Sequence, residues 1–186
     1  MVKKLNMQRR DFLTLAAAGV TAASLDKNFI RQAMATDSYA LQAGETAIDL
    51  GDNGNNPTSC WLYNGACPGP MLRRRQGDML NVTVTNDLPV PTTVHWHGIR
   101  NVNEMDGVPD LTQAPIEPGD NFVYQVPLRE SGTYWYHAHN MGWEQVARGL
   151  YGPLIIDADD DPAVDHDFTL MIDDWRLDQD GQIDAA

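Results

Sequence analysis

No lysine follows Lys27, cysteine occurs twice in 186 residues and histidine five times. Each scarcity removes something. Two of the 26 acidic and six of the 13 basic residues lie in the first 35 positions, which leaves seven arginines against 24 carboxylates and a net charge of −17 for the remainder. A surface of that sign repels nucleic acid and anionic lipid and attracts cations. Cys60 and Cys67 fit no common metal or redox spacing, and neither stands near a histidine. A short-loop disulfide and two separate buried thiols both remain open for them, and neither reading gives them chemistry. Long apolar runs are also missing. The longest, from Phe12 to about Leu25, falls short of the roughly 20 residues a bilayer span needs, so no membrane span is expected.

That run belongs to a leader. A basic start, the apolar stretch and the small-x-small pattern Ala33-Met34-Ala35 together make an export signal. Gln8-Arg9-Arg10-Asp11-Phe12-Leu13 resembles the twin-arginine type, which predicts export, to the periplasm, of a domain already folded. Residues 1–35 are expected to be the signal, and about 150 residues remain, enough for one domain with its own core.

From Thr36 onward the pattern is β. Leu80, Val82 and Val84 alternate with polar neighbours in Met79–Thr85, the period of a half-buried strand. Phe122, Tyr124 and Val126 repeat it, while Pro153–Ile156 and Phe168–Ile172 read as short buried strands. Asn64-Gly65, Pro68-Gly69-Pro70, Gln76-Gly77-Asp78 and Glu117–Asp120 supply turns. Short strands between such turns predict an all-β Greek-key sandwich or barrel, with one helical turn between Met141 and Arg148. Asp157–Pro162 is a charged connector, so the domain is expected over 36–158. Residues 159–186 should be the connector and the start of a second, truncated domain.

Four of the five histidines form two His-x-His pairs, His95/His97 and His137/His139. Residues i and i+2 of a strand share a face, so each pair projects together while Trp96 and Ala138 point the other way. If the two strands neighbour one another, four imidazoles converge. Imidazole suits copper, zinc, iron and nickel alike, so the ligand type leaves the metal open. His166, between Asp165 and Asp167, reads as a surface residue.

The wording around the pairs is more specific. HWHGIRNVNEMDGVPDLTQAPIEPGDNFVYQV, then GTYWYHAH and RGLYGPLII, preceded by NGACPGPMLRRRQGD and followed by DDWRLDQDGQI, resembles the N-terminal domain of the multicopper oxidases from about Tyr39 to the end. The resemblance implies a cupredoxin-like Greek-key barrel. It also implies copper as cofactor, His95 as ligand of the type 2 ion of a three-copper cluster, His97 and His137 as ligands of one type 3 ion, and His139 as ligand of the other. Asp106, in Met105-Asp106-Gly107, matches a family carboxylate that helps deliver protons to oxygen; an ordinary Asp-Gly turn is the competing reading. The implied partners are O2, a small electron donor (a phenol, an aromatic amine or a reduced metal ion) and the remaining cupredoxin domains of the same full-length chain. The implied reaction couples one-electron oxidations of the donor to four-electron reduction of O2 to water. No His-Cys-His occurs, so the type 1 copper and half of the cluster are expected outside these residues, and the chain alone should bind copper weakly and turn nothing over. A copper-free envelope or cell-division scaffold and a small copper-binding module are the competing functions.

Overall fold

The computed structural model describes residues 38–50 and 56–184; the proposed leader lies outside them. Among the described residues eight strands form two four-stranded sheets. The first sheet has the order β2-β1-β4-β6, from β1 Ser38–Ile48, β2 Thr58–Tyr63, β4 Met79–Asn86 and β6 Asn121–Pro127. The second has the order β3-β8-β7-β5, from β3 Leu72–Arg75, β8 Tyr151–Asp157, β7 Gly132–Ala138 and β5 Val94–His97. β1 runs parallel to β4 and β3 parallel to β8, while the other pairings are antiparallel. The expected all-β, cupredoxin-like architecture is present.

Alternation explains which faces meet. Leu80, Val82 and Val84 of β4 are fully buried, as are Tyr124 and Val126 of β6 directly across from them. From the second sheet Val94, Trp96, Tyr136, Ala138, Leu154 and Ile156 face the same core. Trp96 meets Tyr124 edge-on at 5.4 Å between ring centres. Burying aromatic and branched side chains on both inner faces supplies the main driving force for such a sandwich. Two phenols carry polar atoms into this core and use them. Tyr136 Oη donates to the Pro70 carbonyl at 2.7 Å, and the Val94 amide donates to Tyr124 Oη at 3.0 Å. Both bonds anchor histidine-bearing strands from their buried side.

The helical turn is found at α1, Gly142–Gln145. Phe168–Ile172 departs from the expected buried strand. It pairs with no strand among the described residues, and Phe168, Leu170 and Ile172 stand 81%, 84% and 94% exposed. An apolar run becomes buried only where a second surface meets it, and local pattern carries no information about that surface. The preceding connector is tied back by Arg73, which bonds Asp157 through Nε and Nη2 and Asp167 through Nη1 at 2.8 Å. Among the described residues no helix is long and apolar enough to cross a membrane. The cysteines are two free thiols, Cys60 buried in β2 and Cys67 partly buried with its Sγ 3.3 Å from Tyr151 Oη.

Candidate metal centre

β5 and β7 are direct antiparallel neighbours, and their register places His95 opposite His137 and His97 opposite Trp135. Because Val94, Trp96, Tyr136 and Ala138 fill the core, the alternate positions His95, His97, Trp135 and His137 all project from the outer face of the second sheet. His139 follows one residue beyond β7. The His95 ring lies 5.7 Å from that of His97, 5.4 Å from His137 and 5.2 Å from His139. Both pairs therefore converge, with His95 at the centre. His166 is exposed and takes no part.

The backbone beyond the strands is fixed by a buried amide. Gln145 of α1, wholly buried, donates to the Pro91 carbonyl at 2.8 Å and accepts from Thr92 Oγ1 at 2.6 Å. Asn140 Nδ2 also donates to Pro91, and the His139 amide donates to Thr93. The segment leaving the second pair is thus tied to the segment entering the first. This clamp had no sequence signal beyond an expected helical turn.

Hydrogen bonds assign a free nitrogen to two of the rings. His95 Nδ1 stands 2.7 Å from the Asp106 carbonyl and His137 Nδ1 2.9 Å from the Ala138 carbonyl. A carbonyl only accepts, so both Nδ1 atoms carry the proton and both Nε2 atoms keep a lone pair. His97 differs, presenting Nδ1 to His137 Nε2 at 3.2 Å. Without a metal that contact is a hydrogen bond donated by His97. Two imidazole nitrogens held about 2.0 Å from one ion at a tetrahedral angle also stand about 3.3 Å apart. The donor atoms of His95, His97 and His137 all lie within 4.8 Å of one another. Three imidazole nitrogens, two of them on rings oriented by backbone carbonyls, fit a borderline transition-metal ion such as copper.

Asp106 ends the 3-10 turn Asn103–Met105. Its carbonyl accepts the hydrogen bond from His95 Nδ1–H, while its carboxylate lies 3.5 Å from the same nitrogen. Gly107 makes this approach possible. A Cβ there would lie 1.8 Å from the Val94 carbonyl oxygen, and its φ is +77°, in the region where only glycine is free of strain. The expected carboxylate is therefore beside the histidines, brought there by a residue whose importance the Asp-Gly turn pattern understates.

Burial lowers the His137 pKa to about 4, helped by the neighbouring imidazoles and opposed by the Ala138 carbonyl. An unfolded histidine protonates near 6.5, so between those values the unfolded chain takes up a proton that the folded chain refuses. Stability of the metal-free protein is then complete above pH 6.5 and falls as the pH drops toward 4. A series of melting curves should show wild type losing more than His137→Gln over that window; equal losses would contradict it.

Comparison with known proteins agrees with this geometry. Residues 46–161 match a family model described as multicopper oxidase. Copper resistance protein A of Pseudomonas syringae pv. tomato is 42% identical over 139 residues, covering 74% of this chain and 22% of that protein. Multicopper oxidase MmcO of Mycobacterium tuberculosis is 39% identical over 161 residues, 86% of this chain and 31% of that one. The crystal structure of a multi-copper oxidase from Pseudomonas thermotolerans superimposes with a TM-score of 0.75 at 40% identity, over 78% of this chain and 35% of that one. The chain thus spans about a fifth to a third of the length of these relatives.

Proposed function

The chain belongs to the multicopper oxidase family, and from that premise we propose that it supplies one wall of a copper site at which O2 is reduced with electrons from a small donor. The observation that carries the proposal is the convergence of both His-x-His pairs on one outward face, with three donor nitrogens within 4.8 Å. His95 would bind the type 2 ion through Nε2, His97 through Nδ1 and His137 through Nε2 would share one type 3 ion, and His139 would bind the other. Bound copper would supply one-electron steps and oxygen chemistry that no amino-acid side chain offers.

The protein's own part is orientation and proton handling. The carbonyls of Asp106 and Ala138 hold His95 and His137 in single tautomers, so that little ring freedom is lost on ligation. His97 must give up its Nδ1 proton and carry it on Nε2 when Nδ1 becomes a donor. His97 is exposed, so water can exchange that proton. We assign to the Asp106 carboxylate, which is not needed to hold His95, the delivery of protons to reduced oxygen. The outer face of the sheet bears the ligands but cannot enclose them, which is why the remaining cupredoxin domains are the expected partners. Residues 36–158 constitute the cupredoxin domain and 159–186 lead out of it. The leader supports export to the periplasm by the twin-arginine route.

Copper titration of the full chain, followed by metal analysis after desalting, tests the reading. Saturable binding that is lost together with the His pairs is expected, with no oxygen-coupled oxidation of a phenol by these residues alone. A copper-free scaffold would retain no stoichiometric copper.

A further inference from the structure

We propose that Trp135 is a positioning residue that holds His97 and His137 in the ring orientations from which they share an ion. The proposal rests on the copper-site reading for its consequence but not for its geometry. Trp135 lies on the ligand face, two residues before His137 and directly across the ladder from His97. Its ring stacks on His97 at 4.9 Å between centres with 28° between planes, and lies tilted against His137 at 4.2 Å and 30°. The two imidazoles are themselves 5.4 Å apart and inclined by 45°. One indole thus touches both partners of the 3.2 Å nitrogen–nitrogen contact.

The two histidines differ in what else restrains them. His137 has the Ala138 carbonyl on Nδ1. For His97 the contact to His137 is the hydrogen bond found on its ring, and its side chain is exposed. An exposed imidazole rotates about two torsions and exchanges tautomers unless something covers its face. The indole covers it, and offset stacking of aromatic faces is favourable beyond the area it buries. Swinging His97 about its first torsion to bring Nε2 inward would break that stack, whereas a half-turn of the ring in its own plane would keep the stack and lose the contact to His137. Trp135 therefore biases His97 toward the nitrogen that points at the site, and away from the Nε2-inward arrangement that the other two ligands adopt.

Nitrogen-15 correlation spectra of the histidine rings in the metal-free full chain, at about pH 8 where ordinary histidines are neutral, read this directly. His97 is expected as the Nδ1–H tautomer, donating to His137. Trp135→Leu should return it to an averaged mixture dominated by Nε2–H, and Trp135→Phe should largely restore the wild-type pattern. Copper affinity, measured by competition with a chelator, should fall about tenfold in Trp135→Leu, the scale of losing a group that orients a ligand, and stay near wild type in Trp135→Phe. Trp135→Val provides a strand-forming substitute if leucine lowers the melting temperature. An averaged His97 in wild type, or an unchanged His97 in both aliphatic variants, overturns the proposal. Tautomers that respond to Trp135 in a chain that binds no copper would uphold the positioning role and defeat the copper reading.

Discussion

Replacing His137 with alanine is expected to weaken copper binding by the full chain at least about a hundredfold, beyond the range usual for losing an outer partner of a ligand. His137 faces His95 across the ladder and lies 3.2 Å from His97. Its Nε2 is kept unprotonated by the Ala138 carbonyl and its charged form is disfavoured by burial. Removing it leaves His97 without the donor with which it would share an ion. His166→Ala, in the exposed stretch after the connector, is the matched control and should titrate like wild type. Competition against a copper chelator measures both, and similar affinities for His137→Ala and wild type would remove the ligand assignment. The melting temperature of the metal-free variant should change little, because the ring sits on the outer face and the core is untouched.

Gly107→Ala should have the opposite profile, a large loss of stability with damage to the site as its consequence. The added methyl would occupy the position of the Val94 carbonyl, 1.8 Å away, with the Val94 carbonyl carbon at 2.5 Å and the His95 nitrogen at 3.0 Å. All three are backbone atoms of β5, so no side-chain rotation relieves the overlap. The Met105–Val108 segment must lift off the strand at a positive φ. A cost of at least about 3 kcal/mol is expected, or roughly 6–12 °C in melting temperature for a domain of this size. Lifting the segment also withdraws the Asp106 carbonyl from His95 Nδ1, so the His95 ring should lose its single tautomer. A melting curve within about 2 °C of wild type would show that the segment is not seated on β5 as described.

These residues also show which parts of the site could be read from sequence. Each His-x-His pair shares a face because strand geometry is local, and Leu80, Val82 and Val84 lie inward for the same reason. The pairing of β5 with β7 is different in kind. The opposition of His95 and His137 joins positions 42 residues apart, and the spacing within either strand is silent on it. Trp135 escaped notice because a tryptophan in a strand reads as core, and only the alternation of Tyr136 and Ala138 into the interior turns it toward the ligands. Gly107 looked like half of a turn, since its real constraint is a strand carbonyl distant in sequence. The composition of Phe168–Ile172 suits burial, yet among the described residues no second surface covers it.

The alternation on β5 and β7 has a consequence for how such a protein can change over time. Interior and chemistry occupy interleaved positions of the same two strands, so one interior residue can be exchanged for another apolar one without altering the ligand set. Insertions and deletions enjoy no such freedom. Moving either strand by one residue would send Trp96 or Tyr136 into solvent and drive an imidazole into the apolar interior in the same step. Lineages of this domain should therefore exchange apolar residues at the inward positions, keep the outward histidines and the strand lengths, and admit gaps only in the turns outside them.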